Sequence, residues 1–265
     1  KGNIHTETGG EPIGMEIRAQ AFAFASNDEI NNMTFYNYEL INRSTQTLED
    51  TYFGCFTDGA LGDPQDDYVG CDVTRGLAYY YNGDNFDGDN AGFLGYGDNP
   101  PAVGVDFFEG PYQDDDGIDN AEGIGPGEAL NGIGFGDGII DNERYGMRRF
   151  LYYSNSGQGA DPSQTDPITA LDYYRYLQGF WKDGTPFYYG GSGHISDPTT
   201  DQSRTADFMF PGETDPLGWG TGGLPQPNWT EQTANNPPDD RRFVQSAGPF
   251  VLKPGAVNNI TVGVV

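Results

Sequence analysis

The sequence predicts a mainly β protein: an antiparallel β-sandwich carrying a long, irregular, Gly/Asp-rich insertion and one short helix. Three observations carry this expectation. Several segments alternate polar and apolar residues with period two, as strands with one buried face do. The 40 acids divide into 28 Asp and 12 Glu, beside 40 Gly and 18 Pro, whereas an acidic helical chain favours Glu and Asp with Gly and Pro builds turns. The last segment, 242–265, is two β-prone runs around a Lys253-Pro254-Gly255 turn.

From Ile13 to Ala25 the odd positions Ile13, Met15, Ile17, Ala19, Ala21, Ala23 and Ala25 alternate with neighbours such as Glu16, Arg18 and Gln20, which reads as a strand. After a polar turn at 26–31, Met33 to Asn42 is the second strand, and 43–46 the next turn. Thr51 to Thr57 and Tyr68 to Tyr81 are read as two more strands, and Ala102 to Phe108 as a fifth. Short polar connections make the sheet antiparallel. The terminal hairpin, Arg242 to Leu252 and Val257 to Val265, then completes the sandwich by pairing with the N-terminal strands (13–108), leaving 109–241 as the insertion. Within it, Asp166 as N-cap and Pro167 at the first helical position predict a helix over about 167–178, with Ile168, Leu171, Tyr174 and Leu177 on its packing face and Gly179 at the stop. Phe180 to Tyr189 reads as a hairpin. Because the last strand runs to Val265 without a polar terminus, the 265 residues are expected to be one region of a longer polypeptide.

The net charge of -27 and pI of 4.1 exclude nucleic acid as a partner, since neutralising phosphates takes clustered Lys and Arg. The 13 basic residues are scattered, adjacent only at Arg148-Arg149 and Arg241-Arg242. No run approaches the roughly twenty apolar residues of a membrane-spanning helix, so membrane insertion is not expected, and 1–14 lacks the apolar core of a signal peptide. Cys55 and Cys71 sit in similar strings, Tyr-Phe-Gly-Cys and Tyr-Val-Gly-Cys. They are either a disulfide, worth about 3 kcal/mol in an oxidising compartment, or two buried thiols.

Acidic loops dominate the candidate chemistry. Asp114, Asp116 and Asp119 lie in the spacing D-x-D-G-x-D, where alternate carboxylates converge on a hard cation and Gly allows the sharp turn. Asp137 and Asp141 belong to a second loop whose front half is poor in ligands, because Ile133 and Phe135 occupy ligand places. Asn82, Asp84, Asp87 and Asp89 form a third, looser cluster. The expected cofactor is Ca²⁺, with ordinary acidic turns as the alternative; Mg²⁺ is less suited, being reluctant to dehydrate.

Enzyme signatures are sparse. Two histidines, His5 and His194, rule out a zinc hydrolase of the H-E-x-x-H type. Gly190-Gly191-Ser192-Gly193-His194 resembles a nucleophile elbow but ends in His and lacks the strand-to-helix context. A glycosidase needs only two carboxylates, which 40 acids make uninformative. Trp219 and Trp229, each in a Gly/Pro-rich loop, are the rings expected to be exposed and to offer a glycan platform.

The strings Gly76-Leu77-Ala78-Tyr79-Tyr80-Tyr81-Asn82-Gly83-Asp84, Pro100-Pro101-Ala102-Val103-Gly104-Val105-Asp106-Phe107-Phe108, Trp181-Lys182-Asp183-Gly184-Thr185-Pro186, Phe208-Met209-Phe210-Pro211-Gly212 and Ser246-Ala247-Gly248-Pro249-Phe250 together resemble large secreted proteins of Bacteroidota, many of which are exported by the type IX secretion system. The resemblance spans most of 30–265. It implies an extracellular or outer-surface location and supplies no catalytic residue; the family's C-terminal sorting domain is not among these residues. The function expected is a non-catalytic, calcium-stabilised structural or adhesion region of a surface layer or filament, with a surface glycan, a protein or further copies of itself as partner. The alternative is a carbohydrate-active module, whether a binding domain or a glycoside-cleaving enzyme.

Overall fold

A computed structural model describes residues 6–125, 127–155 and 161–265; His5 lies outside them. The elements are β1 (Met15–Ala23), β2 (Thr34–Asn42), β3 (Leu48–Thr57), β4 (Asp67–Asp72), β5 (Leu77–Asn82), β6 (Phe86–Asp87), β7 (Gly97–Asp98), β8 (Ala102–Glu109), β9 (Arg149–Ser154), α1 (Ala170–Gln178), β10 (Tyr188–Tyr189), β11 (Asp201–Thr205), α2 (Glu231–Ala234), β12 (Arg241–Leu252) and β13 (Val257–Val264). The protein is mainly β, and all its strand pairs are antiparallel.

A six-stranded sheet, ordered β1-β2-β13-β8-β5-β4, faces a three-stranded sheet, ordered β3-β12-β9. Between them, Tyr80 meets Phe243 at 4.8 Å, and Phe53 meets Tyr38 at 5.4 Å and Phe107 at 6.0 Å. Polar atoms in this core are tied across it: Gln245 Nε2 donates to the Val105 carbonyl at 2.8 Å, and the Tyr80 hydroxyl to the Thr57 carbonyl at 2.9 Å. The outer face of the smaller sheet carries α1. A Cβ on Gly54 of β3 would stand 2.3 Å from Leu177 Cδ2, so this glycine lets the helix lie directly on the strand.

Several expectations are corrected. Residues 68–81 are not one strand but the hairpin β4–β5, turning at Val73 to Gly76, where Gly76 adopts φ 71°. The terminal segments do not pair with each other: β12 lies in the small sheet and β13 in the large one, so Lys253-Pro254-Gly255 is a crossing between layers. Residues 109–241 are not wholly an insertion, because β9 returns to the small sheet, with Phe243 opposite Tyr152 and Gln245 opposite Phe150. The helix starts at Ala170 with Thr169 as N-cap, because Thr169 and Asp172 form a reciprocal capping box. Its packing residues are Tyr176 and Leu177, whereas Ile168, Leu171 and Tyr174 are exposed. A second, one-turn helix, α2, was not anticipated. Along β1 both faces are largely exposed, since a three-stranded layer does not reach the far edge of a six-stranded one. The cysteines lie in different sheets as free thiols, so of the two alternatives the disulfide is not formed, and Cys55 is only partly buried. Cys71 is buried with its Sγ–H directed at the Met209 carbonyl, and burial raises its thiol well above the ordinary range; burial also pushes Cys55 up to about 11.

Two chain crossings between the layers, β2 to β3 and β12 to β13, meet at the fully buried Asn42. Its Nδ2 donates to the carbonyls of Gln46 and Leu252, both at 2.8 Å, and its Oδ1 accepts from Ser44 N and Oγ. Its backbone N–H donates to Ala256 O, and its carbonyl accepts from Gly255 N. Asn42→Ala is expected to lower the unfolding free energy by about 3 kcal/mol, because buried carbonyls lose their donors; urea denaturation measures this.

Asp106 on β8 is half-buried, with Oδ1 lacking a partner. Burial raises its pKa from 3.8 to about 6, against the Phe107 N–H, which lowers it, and with a smaller upward push from Asp72. The folded state therefore holds this proton more tightly than the unfolded chain. That contribution is complete below the unfolded value and is lost as pH rises through about 6. Between pH 4 and 7 the melting temperature of the unmodified chain should fall further than that of Asp106→Asn, and equal slopes would contradict the assignment.

Candidate functional site: paired acidic loops

Between β8 and β9 the chain builds two acidic loops, 113–120 and 136–143, that lie against each other. Each contains an Asp-Gly-Ile turn closed in the same way. Asp116 Oδ1 accepts from Ile118 N and Asp137 Oδ1 from Ile139 N, both at 2.8 Å. The glycines between them, Gly117 and Gly138, have φ of 81° and 90°, a region that disfavours any residue with a Cβ.

The loops exchange carboxylate contacts. Asp119 accepts from Gly136 N at 3.0 Å and Gly138 N at 2.8 Å, while Asp141 accepts from Gly117 N at 2.8 Å. Buried Glu143 accepts from Asn120 N through Oε1, and its backbone carbonyl accepts from Gln113 N. Asp119, Asp141 and Glu143 thus hold the loop pair together through backbone N–H groups, while Asp137 closes its own loop.

A surplus of acceptors remains. Burial raises the Asp114 carboxyl above the ordinary range, and Asp116, Glu143, Asp141 and Asp115 push it further the same way. Gln113 Oε1, Asn120 Oδ1 and Asn142 Oδ1 are buried without a donor. The neighbouring cation, Lys253, is engaged with exposed Asp115 at 2.5 Å, and its hydrogen bond lowers the Asp115 pKa. Among the described residues, no three carboxylate, imidazole or thiolate side chains form a metal-binding group by themselves. Any cation here would therefore draw on amide and backbone oxygens as well as carboxylates.

The third predicted cluster is divided by the fold. Asn82 and Asp87 are buried, whereas Asp84 and Asp89 are exposed and close turns, accepting from Phe86 N at 2.8 Å and Gly95 N at 2.9 Å. In place of those two, the fold brings Asp63, Asp66 and Asp67 to Asn82 and Asp87. Sequence reading missed them because it took 68–81 as one strand. The hairpin register sets Asp67 opposite Asn82.

The remaining candidates are structural. Trp219 and Trp229 are buried, not exposed. Trp219 packs on Phe208 with the Arg148 guanidinium 4.5 Å over its ring, and Trp229 packs on Tyr189 and Phe210 and donates from Nε1 to the Gly191 carbonyl. His194 is buried, with Nδ1 2.7 Å from Ser196 Oγ and Nε2 within 3.3 Å of Asp183 and Ser163, so its partners differ from Ser192. No family model matches the chain, and neither a curated protein nor a solved structure matches it significantly.

Asp119→Ala removes an acceptor that bridges the two loops. Amide exchange at Gly136 and Gly138 should accelerate about tenfold or more, since hydrogen bonds to charged groups contribute about 1.5–3 kcal/mol. Exchange along β12 should be unchanged in the same NMR experiment.

Proposed function

We propose that this chain is a non-catalytic, calcium-stabilised structural region of a secreted or surface-exposed bacterial protein. The observation that carries the reading is the loop pair: the half-buried Asp114 carboxyl is pushed up by burial and by Asp116, Glu143 and Asp141, while the adjacent lysine is held by Asp115. Like charges in a half-buried setting repel unless something neutralises them. A hard dication with flexible coordination answers that need, because Ca²⁺ accepts six to eight oxygens of carboxylate, amide and carbonyl type. Extracellular calcium is abundant enough to load even sites of about 10⁻⁴–10⁻³ M affinity, which agrees with the surface location implied by the resemblance to Bacteroidota secreted proteins. A role in a surface layer, filament or adhesive structure is part of this proposal, and the antiparallel β architecture and the clustered Asp loops support it. Burial of both Trp219 and Trp229 takes those two rings out of a surface glycan platform.

In the test, chelated protein is melted with and without 2 mM CaCl₂, alongside the double variant Asp114→Asn/Asp116→Asn. At 2 mM calcium a site of about 10⁻⁴ M affinity is stabilised by about 1.8 kcal/mol, which for a chain of this size raises the melting temperature by roughly 4–7 °C. The double variant should lose part of the increase. Identical melting in calcium and chelator, with no heat of calcium binding, refutes the reading.

A further inference from the structure

A different place in the fold combines clustered acids with buried acceptor oxygens that lack donors. The loop before β4, the β4–β5 hairpin and the short β6–β7 ribbon converge at one end of the large sheet. Asp67 and Asn82 face each other across the hairpin, and Gly83 N donates to the Asp66 carbonyl at 2.6 Å. Asp67 Oδ2 accepts from Leu61 N at 3.0 Å. Asp87 is buried against the backbone of the same loop: a Cβ on Gly62 would fall 1.8 Å from its Oδ2, and its Oδ1 accepts from Asp63 N at 3.0 Å. These links bring Asp66 and Asp67 to Asn82, with Asp63 on the adjoining loop and Asp87 on β6; among the described residues, no three of these acids form a metal-binding group by themselves, so the Asn82 amide oxygen is needed to complete a set.

Three oxygens here, Asp66 Oδ1, Asp67 Oδ1 and Asn82 Oδ1, are buried without a hydrogen-bond donor. Asp67 is 0% and Asn82 6% exposed. The Asn82 amide cannot turn round to resolve this, because its Nδ2 donates to the carbonyls of Asp84 and Phe86 at 3.2 and 3.4 Å. Among the described residues, no Lys or Arg forms an ion pair with Asp63, Asp66, Asp67 or Asp87. Burial and the neighbouring acids raise Asp66 to about 6 against a hydrogen bond from the Asn82 side chain, and burial raises Asp67 to about 7 against the Leu61 N–H, with smaller upward pushes from Asp66, Asp87 and Asp63.

Either protons or a cation could relieve this arrangement. A proton on one carboxyl supplies one O–H donor and satisfies one further oxygen, whereas a single cation reaching all three would satisfy them together. The donor atoms are all oxygen, which selects a hard ion over zinc or copper. A buried set built from two carboxylates and an amide suits Ca²⁺ better than Mg²⁺, which retains most of its water. We propose that Asp66, Asp67 and Asn82, flanked by Asp63 and Asp87, form a buried calcium site that fastens the loop before β4 to the end of β5. It is separate from the paired loops between β8 and β9 and holds whether or not those bind calcium.

The experiment titrates the chelated 265-residue chain with CaCl₂ by calorimetry, in parallel with Asp67→Asn and with Asp114→Asn/Asp116→Asn. Asp67→Asn should bind one equivalent fewer than the unmodified chain, or bind it at least tenfold more weakly. The paired-loop double variant should retain the equivalent that Asp67→Asn loses. Unchanged stoichiometry and affinity in Asp67→Asn overturn the proposal while leaving the paired-loop reading intact. Should Asp67→Asn fail to fold, a crystal of the unmodified chain soaked in TbCl₃ decides. An anomalous peak bonded to Asp66, Asp67 and Asn82 supports the site, and no peak there overturns it.

Discussion

The architecture turns on one buried amide. A sandwich needs its chain to pass between layers, and every such passage strips backbone groups of their ladder partners. Here two passages, after β2 and after β12, occur side by side, and Asn42 supplies the missing hydrogen bonds to both. Its position fixes the small sheet relative to the large one, and through β12 it also fixes β9, α1 and the loops packed around them. A chain with 40 glycines and 18 prolines has many ways to turn; this junction makes one set of turns mutually supporting.

A second regularity concerns where the few cations go. Arg241 forms a buried pair with Glu231 at 2.9 Å, Arg148 lies over Trp219, Arg149 meets Asp207 at 3.2 Å, and Arg242 meets Asp58 at 3.2 Å. The arginines thus serve seams between strands and the aromatic loops. Glu231, whose pKa burial raises and Arg241 lowers, shows how costly an acid becomes inside this fold even with a partner. The acidic loops receive almost none of this compensation, and their buried oxygens are short of counter-charge.

Much of the fold was legible where one face of a strand is buried and the other is not. β2, β3, β8 and β13 fall close to their expected bounds, and so does β12, which is buried on both faces and was legible through its β-prone residues. β9 escaped notice because Phe150 to Tyr153 is buried on both sides and has no alternation to read. The β4–β5 turn was hidden because Val73 and Leu77 continue the apolar run through it. Gly and Pro around Trp219 and Trp229 correctly indicated loops, but loops packed on one another can bury rings as well as a sheet does. Contiguous acids at 114–119 were visible as a site in sequence, whereas Asp66, Asp67 and Asn82 become neighbours only through hairpin register.

The register of the large sheet also has a mechanical meaning. β1 and β13 both pair antiparallel to β2, with Met15 opposite Asn42 and Val264 opposite Thr34. The first strand therefore enters at one end of β2, and the last leaves at the other. Tension drawn between Met15 and Val264 would load the hydrogen bonds of the β1–β2 and β2–β13 ladders side by side, in shear, instead of opening them one after another like a zip. Under tension applied at these two ends, the β1–β2–β13 edge of the large sheet would carry the force.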